Sequence, residues 1–194
     1  VKIPENIITK LNNYVEETVK DEKKSKDLDV GKNLVGDVTQ EFVLEHDFIK
    51  NSGWYNFLAF CVKQWIKLET NKEVTKFEVK NSWIVRQFQN EYNPLHIHTG
   101  ARMSCVGYLG LPDGIEKEWE EDYKDHHPAN GHIQFAHGTT SGYNNTNFMV
   151  KPQVGDFYVF PAELFHCVYP FKTKGERRSF SVNFSFIEVP KDKK

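Results

Sequence analysis

No stretch of this sequence approaches the run of roughly 20 apolar residues that a membrane-spanning helix requires. Val1-Lys2-Ile3-Pro4 does not read as a secretory signal. An excess of one charge is also lacking. With 25 basic and 27 acidic residues the formal net charge is −2, so composition supplies no field that would gather nucleic acid. Cysteine is scarce: Cys61, Cys105 and Cys167 are odd in number and far apart, which speaks against a disulfide framework and for a reducing cytoplasm. Asn144-Asn145-Thr146 is formally a glycosylation sequon, read without secretion as a polar loop. Aromatic residues, in contrast, are plentiful. Fifteen Phe and a 14% aromatic share favour a β-rich interior over a helical bundle, and 194 residues suit one domain, 1–194.

Residues 1–75 read as a helical support and 76–190 as the β core. Pro4 suits a first helical turn, and Ile7, Ile8, Leu11, Val15 and Val19 follow at helical spacing. Lys20 to Lys32 is charged and poor in apolar residues, as an exposed loop would be. A second helix is expected from Ser52, with Gly53 just inside it and Trp54, Leu58, Cys61, Val62, Trp65 and Leu68 as its buried stripe. From about residue 76 the period becomes two. Phe77 and Val79, then Trp83 and Val85, fit strands broken by polar turns, the second buried on both sides because Ile84 and Phe88 fill its other face. Further strands are expected at 103–109, 131–136, 148–151, 156–160, 167–169 and 177–187. So many short strands indicate a sandwich, barrel or jelly roll. Glu116–Asp125 and Gly138–Asn147 read as long surface loops, either site covers or tolerated insertions.

Three features carry chemistry. In an extended strand His96 and His98 point to the same face and can approach one metal ion. His166, after Val159-Phe160-Pro161 and a short turn, can supply a third ligand from a neighbouring strand. The last strand then alternates Arg177, Ser179, Ser181, Asn183 and Ser185 on one face with Arg178, Phe180, Val182, Phe184 and Phe186 on the other. Alone, the polar face would be a solvated surface. Beside candidate metal ligands, an arginine with hydroxyls along its face suits a carboxylate pocket, to which Tyr108 could add a donor.

Taken in order, His96-x-His98, Ser104–Leu109, Gly131–Phe135, Val150–Asp156, Phe160-Pro161 to His166, and Arg177-x-Ser179-x-Ser181 resemble the core of the 2-oxoglutarate/iron(II) oxygenase superfamily. The resemblance covers roughly residues 83–186 and is to the prolyl-hydroxylase-like branch, notably its small bacterial and phage members with H-x-H. It implies a mainly β fold with N-terminal helices, a double-stranded β-helix (jelly roll), and an iron(II) centre on His96, His98 and His166. It further implies 2-oxoglutarate held by Arg177 with Tyr108 and Ser179 or Ser181, O2 as oxidant, and hydroxylation of a C–H bond with succinate and CO2 as co-products. Arg178 is the competing carboxylate binder. The departure is at position 98, where relatives mostly carry a carboxylate: three neutral imidazoles leave the site one unit more positive. Glu91 or Glu163 could supply a carboxylate, but neither has the i, i+2 relation to His96.

Two other readings stand beside this one. A cupin-type dioxygenase also uses H-x-H and a late histidine, without 2-oxoglutarate. A jelly-roll binding module would carry its histidines incidentally. The substrate, whether protein side chain or small molecule, is not inscribed in the fold. His126 and His127 read as solvated, and His132 and His137 as facing either solvent or pocket. Cys167 points away from the metal by alternation, and Asp156 reads as a turn residue. Trp83, Arg86 and Asn90 belong to the substrate side, the core or the surface.

Overall fold

Helices form here wherever an apolar stripe or a cap is available. The computed structural model describes residues 1–120, 129–139 and 141–190. Helix α1 (Glu5–Lys20) starts after Pro4 and buries Ile7, Ile8, Leu11, Tyr14 and Val15, whereas Val19 is 36% exposed and lies off the stripe. The charged segment expected as a loop contains α2 (Glu22–Leu28). Asp21 caps it by accepting from the Lys23 and Lys24 N–H groups, and no residue of it is buried, so it has no hydrophobic period. The stretch before residue 75 also holds a strand, β1 (Gln40–Val43), too short to show alternation. After α3 (His46–Asn51), helix α4 (Trp54–Thr70) begins one residue later than expected. Gly53 is not inside it but precedes it at φ 86°, and Ser52 Oγ accepts the Trp54 N–H. Its buried stripe is Trp54, Leu58, Val62 and Ile66. Steps of four rotate that stripe by about 40° per repeat. By the last turn Leu68 has therefore left the buried face, and it is 81% exposed.

The two strands expected around Phe77 and Trp83 are one, β2 (Lys72–Gln87). Its polar Thr75 and Lys80 mark irregularities in the pairing rather than turns. Strands β3 (Asn93–His96), β4 (Met103–Gly110), β5 (Ile133–Ala136), β6 (Asn147–Val150), β7 (Phe157–Pro161), β8 (Phe165–Val168) and β9 (Arg177–Pro190) complete the set among the described residues. All pairings are antiparallel. One sheet runs β1-β2-β9-β4-β7 and the other β3-β8-β5-β6, the two walls of a double-stranded β-helix.

The helices cover the outer face of the five-stranded sheet. Leu11, Val15, Trp54, Leu58 and Val62 pack there with Phe42, Ile84, Phe157, Phe180, Val182 and Phe184. A second, smaller core lies between the sheets and contains Val106, Tyr108, Ile133, Phe135, Val150 and Phe160. The polar face of β9 is therefore not solvated: it points into the space between the sheets, with Arg177 1%, Ser179 2% and Asn183 6% exposed. Ile84 and its neighbours Trp83 and Val85 are all buried, which agrees with the expected two-sided burial of that segment.

Gly107 of β4 lies opposite Phe180 of β9, with no room between them for a side chain. A Cβ at Gly107 would lie 2.3 Å from Phe180 Cε1 and 2.9 Å from Ile3 Cδ1. Gly107→Ala is predicted to destabilise the fold by about 1–3 kcal/mol through overpacking, read as a lower urea midpoint at unchanged m-value.

Candidate metal centre

The four-stranded sheet brings together the three histidines. β3 and β8 pair so that His96 stands directly opposite His166. His98 lies beyond the end of β3 rather than within a strand, yet its backbone N–H donates to Ala162 O at 2.8 Å, which fixes the segment and keeps the same-face relation to His96. Ring centroids are 4.3 Å apart for His96 and His166, 5.0 Å for His98 and His166, and 5.2 Å for His96 and His98. One ring nitrogen from each lies within 4.8 Å of those of the others, a set that could hold a metal ion.

Backbone carbonyls set the tautomers. His96 Nδ1 is 2.7 Å from Pro94 O, and His166 Nδ1 is 2.8 Å from Leu164 O. A carbonyl can only accept, so both Nδ1 atoms carry the proton and both Nε2 lone pairs are free for a metal. Burial is the main influence on two of the rings. It lowers the His98 pKa to about 4 and that of His166 to about 3, helped for both by the neighbouring His96 ring. Phe135 and Phe160 pack against His166, and Trp83 stands edge-on to His98 at 5.8 Å, so the centre has an apolar wall.

The same cavity, about 130 Å³, continues to Arg177, Ser179 and Ser181. Arg177 Nε donates to Gly131 O and Nη1 to Gln87 Oε1, each at 3.1 Å. Its Nη2 is buried with no hydrogen-bond partner, and no ion pair to an acid forms among the described residues. The guanidinium lies 4.9 Å over the Tyr108 ring, and the Tyr108 hydroxyl, also buried, lacks a hydrogen-bond partner. Arg178, on the other face, is committed: it pairs with Glu176 and with Glu16 of α1, and donates to Asn12.

Neither alternative carboxylate joins the histidines. Glu91 accepts from the Thr39 and Phe88 N–H groups, and Glu163 is exposed in the turn between β7 and β8. The carboxylate that does line the cavity is Glu41 of β1, which sequence reasoning missed. It is 3% exposed and pushed up to about 7 chiefly by burial, then by the charges of Asp29 and Glu91. A four-residue strand offers no periodic signal that would have marked it.

Trp83 also lines the cavity, whereas Arg86 pairs with Glu176, and Asn90 occupies a turn at φ 68°. His132 is buried with Nδ1 3.0 Å from Asn130 O and its ring edge-on to Trp119, and His137 is exposed. Neither joins the cluster. Cys167 faces Gln134, away from the centre, and Asp156 forms an ion pair with Lys2 at 2.7 Å. The first expected loop opens as a 3-10 turn, Ile115–Trp119, in which buried Glu118 accepts from the Lys172 and Thr173 N–H groups. His126, His127 and the rest of that loop lie outside the described residues. In the second loop Ser141 bridges Asn144, and Tyr143 is fully exposed.

Residues 81–183 match the family model described as "Putative 2OG-Fe(II) oxygenase". None of the curated proteins matches the chain. Among solved structures it is similar to a prolyl-4-hydroxylase from Pseudomonas putida, with 15% identity over 94% of this chain and 87% of that one, at a TM-score of 0.62. It is similar also to a prolyl hydroxylase from Trichoplax adhaerens in complex with a hypoxia-inducible-factor oxygen degradation domain peptide, with 12% identity, coverage of 94% and 79%, and a TM-score of 0.57. HygX from Streptomyces hygroscopicus, with nickel, 2-oxoglutarate and hygromycin B bound, gives the same figures: 12% identity, 94% and 79% coverage, TM-score 0.57.

Depressed histidine pKa values have a consequence for the metal-free protein. In the unfolded chain His98 and His166 take up protons below about pH 6.5, while in the folded state they resist until about 4 and about 3. The unfolded state therefore binds more protons in that window, and stability is lost as pH falls from about 6.5 through the folded values. Melting temperature against pH is predicted to decline over this range for the apo-protein, and less steeply for His166→Gln.

Proposed function

The chain belongs to a family of 2-oxoglutarate- and iron(II)-dependent oxygenases, and we propose that it holds iron(II) on His96, His98 and His166 and the distal carboxylate of 2-oxoglutarate on Arg177. The observation that carries this reading is Arg177, a buried guanidinium that lines the same cavity as the histidines and has no acid to pair with among the described residues, with the Tyr108 hydroxyl buried beside it. A buried guanidinium without an acid is costly unless an anion completes it. A carboxylate of 2-oxoglutarate would accept from Arg177 Nη2 and the Tyr108 hydroxyl, with Ser179 and Ser181 lining the path to the metal. Three imidazoles, each with a ring nitrogen facing the others, suit a borderline divalent ion and leave coordination sites for the 2-oxo acid end and for oxygen.

When bound, iron(II) and 2-oxoglutarate supply the oxidation: one O2 and one 2-oxoglutarate yield succinate, CO2 and a hydroxylated C–H bond in the substrate. The protein's own part is placement and dryness. The Pro94 and Leu164 carbonyls hold two imidazoles in the ligating tautomer. Gln87, 0% exposed, orients Arg177 by accepting from Nη1 while its own amide donates to the Glu91 and Tyr169 carbonyls. Phe135, Phe160 and Trp83 keep water from the histidine cluster. The substrate would be a protein side chain or a small molecule.

A three-histidine ligand set also favours a second reading, a cupin-type dioxygenase that does not use 2-oxoglutarate. The two separate in an anaerobic titration of the apo-protein with iron(II) and then 2-oxoglutarate, following the visible metal-to-ligand charge-transfer band. The band is expected to saturate at one equivalent of iron. Tight iron binding without a band would support the cupin-type reading. Arg177→Ala is predicted to weaken 2-oxoglutarate binding by about two orders of magnitude, as the loss of a buried charge-assisted hydrogen bond implies, with iron stoichiometry intact. His98→Ala is predicted to lower iron affinity itself. An Arg177→Ala protein that lost iron but kept its 2-oxoglutarate affinity would overturn the role of Arg177.

A further inference from the structure

Glu41 is the one carboxylate lining the cavity among the described residues, and Arg177 the one permanent cation. Strand register shows why Glu41 points there. Glu41 pairs with Val85, Val85 with Ser179 and Ser179 with Tyr108, so the four form one row on the inner face of the five-stranded sheet. At 3% exposure the carboxyl is removed from bulk water. The charges that act on it are those of Asp29 and Glu91, and the cavity it lines also holds the three histidines and Arg177. No cation pairs with it among the described residues. Trp83 lines the same cavity as Glu41 and stands edge-on to His98, so the carboxyl and that histidine share one aromatic neighbour.

Charge balance says what such a group is for. An iron(II) ion and a 2-oxoglutarate dianion cancel each other, which leaves the positive charge of Arg177. A carboxylate ligand at position 98 would cancel that charge, and a neutral imidazole does not. On the reading of the centre given above, we infer that Glu41 is the counter-charge of the three-histidine site, supplying from the cavity wall the negative charge that position 98 does not provide. Burial and its acidic neighbours hold its pKa near 7 in the metal-free protein. A divalent ion entering the cavity lowers it, so the carboxylate is ionised when the site is loaded. Glu41 thus acts on the metal's affinity and potential without ligating it.

The test compares iron(II) affinity and the Fe(III)/Fe(II) potential of wild type, Glu41→Gln and the double variant Glu41→Gln/His98→Asp. A unit charge acting on a divalent ion from roughly 10 Å away, across a partly hydrated cavity, shifts binding by about tenfold or more. Glu41→Gln is therefore expected to weaken iron(II) binding about tenfold. The potential should rise by about 59 mV for each tenfold by which Fe(III) binding weakens more than Fe(II) binding. Its apo form, relieved of a buried acid, should melt no lower than wild type. Returning the charge with His98→Asp should restore affinity and potential towards wild type. Unchanged affinity and potential in Glu41→Gln, with wild type binding one iron, would overturn the proposal. So would a weakened site that melts lower and is not rescued by His98→Asp, which would assign Glu41 to packing. A wild type that binds no iron would instead remove the metal-centre reading, and this inference with it.

Discussion

Burying a guanidinium without an acid beside it is among the more expensive things a small fold can do, and the cavity is organised around that cost. Arg177 is 1% exposed, and its charge is met by a carbonyl, an amide oxygen and the face of Tyr108 rather than by a carboxylate. Gly131, Gln87 and Tyr108 come from three different segments, so the arginine is held only once both sheets are in place. Its Nη2 and the Tyr108 hydroxyl beside it make no hydrogen bond of good geometry. A fold that offset this charge internally, as Glu176 and Glu16 do for Arg178, would have nothing left for a ligand.

The histidines obey the same economy of donors and acceptors. Each of His96 and His166 spends its Nδ1 proton on a carbonyl two residues earlier in its own chain, which leaves Nε2 as the only available lone pair. Their cross-strand pairing gives the two-ligand core its rigidity. His98 is anchored differently, by one backbone hydrogen bond to Ala162 beyond the end of β3. The histidine proposed in place of a carboxylate is thus also the one not held within a strand, and Trp83 stands edge-on to it.

The helices take no direct part in this chemistry. They cover the outer face of the five-stranded sheet, where Phe180, Val182 and Phe184 of β9 meet α1 and α4. That packing lets the opposite face of the same strand remain polar and still be buried. Alternation along β9 therefore couples the two: Phe180 and Val182 tie the strand to the helical layer while Ser179 and Ser181 line the cavity.

Much of this was legible in the residues. The change of period near residue 76, the H-x-H pair with a late histidine, and the polar face headed by Arg177 are local patterns, and side-chain alternation is a local property of the backbone. They led to a sandwich, barrel or jelly roll, which the family resemblance narrowed to a jelly roll, and to His96, His98 and His166 as neighbours, and the structure contains both. Other features were silent for physical reasons. Helix α2 buries nothing and so has no stripe, β1 is too short to alternate, and the irregularities of β2 look like turns because both use polar residues. Leu68 was misplaced because a stripe stepping by four drifts around its helix. The sequence by itself determined which residues share a face. Tertiary structure alone decided what covers that face: a polar strand reads the same whether water or a second sheet lies opposite. Only the packing of two sheets made Arg177 a buried charge and brought Glu41, from a strand without a signal, to the same cavity.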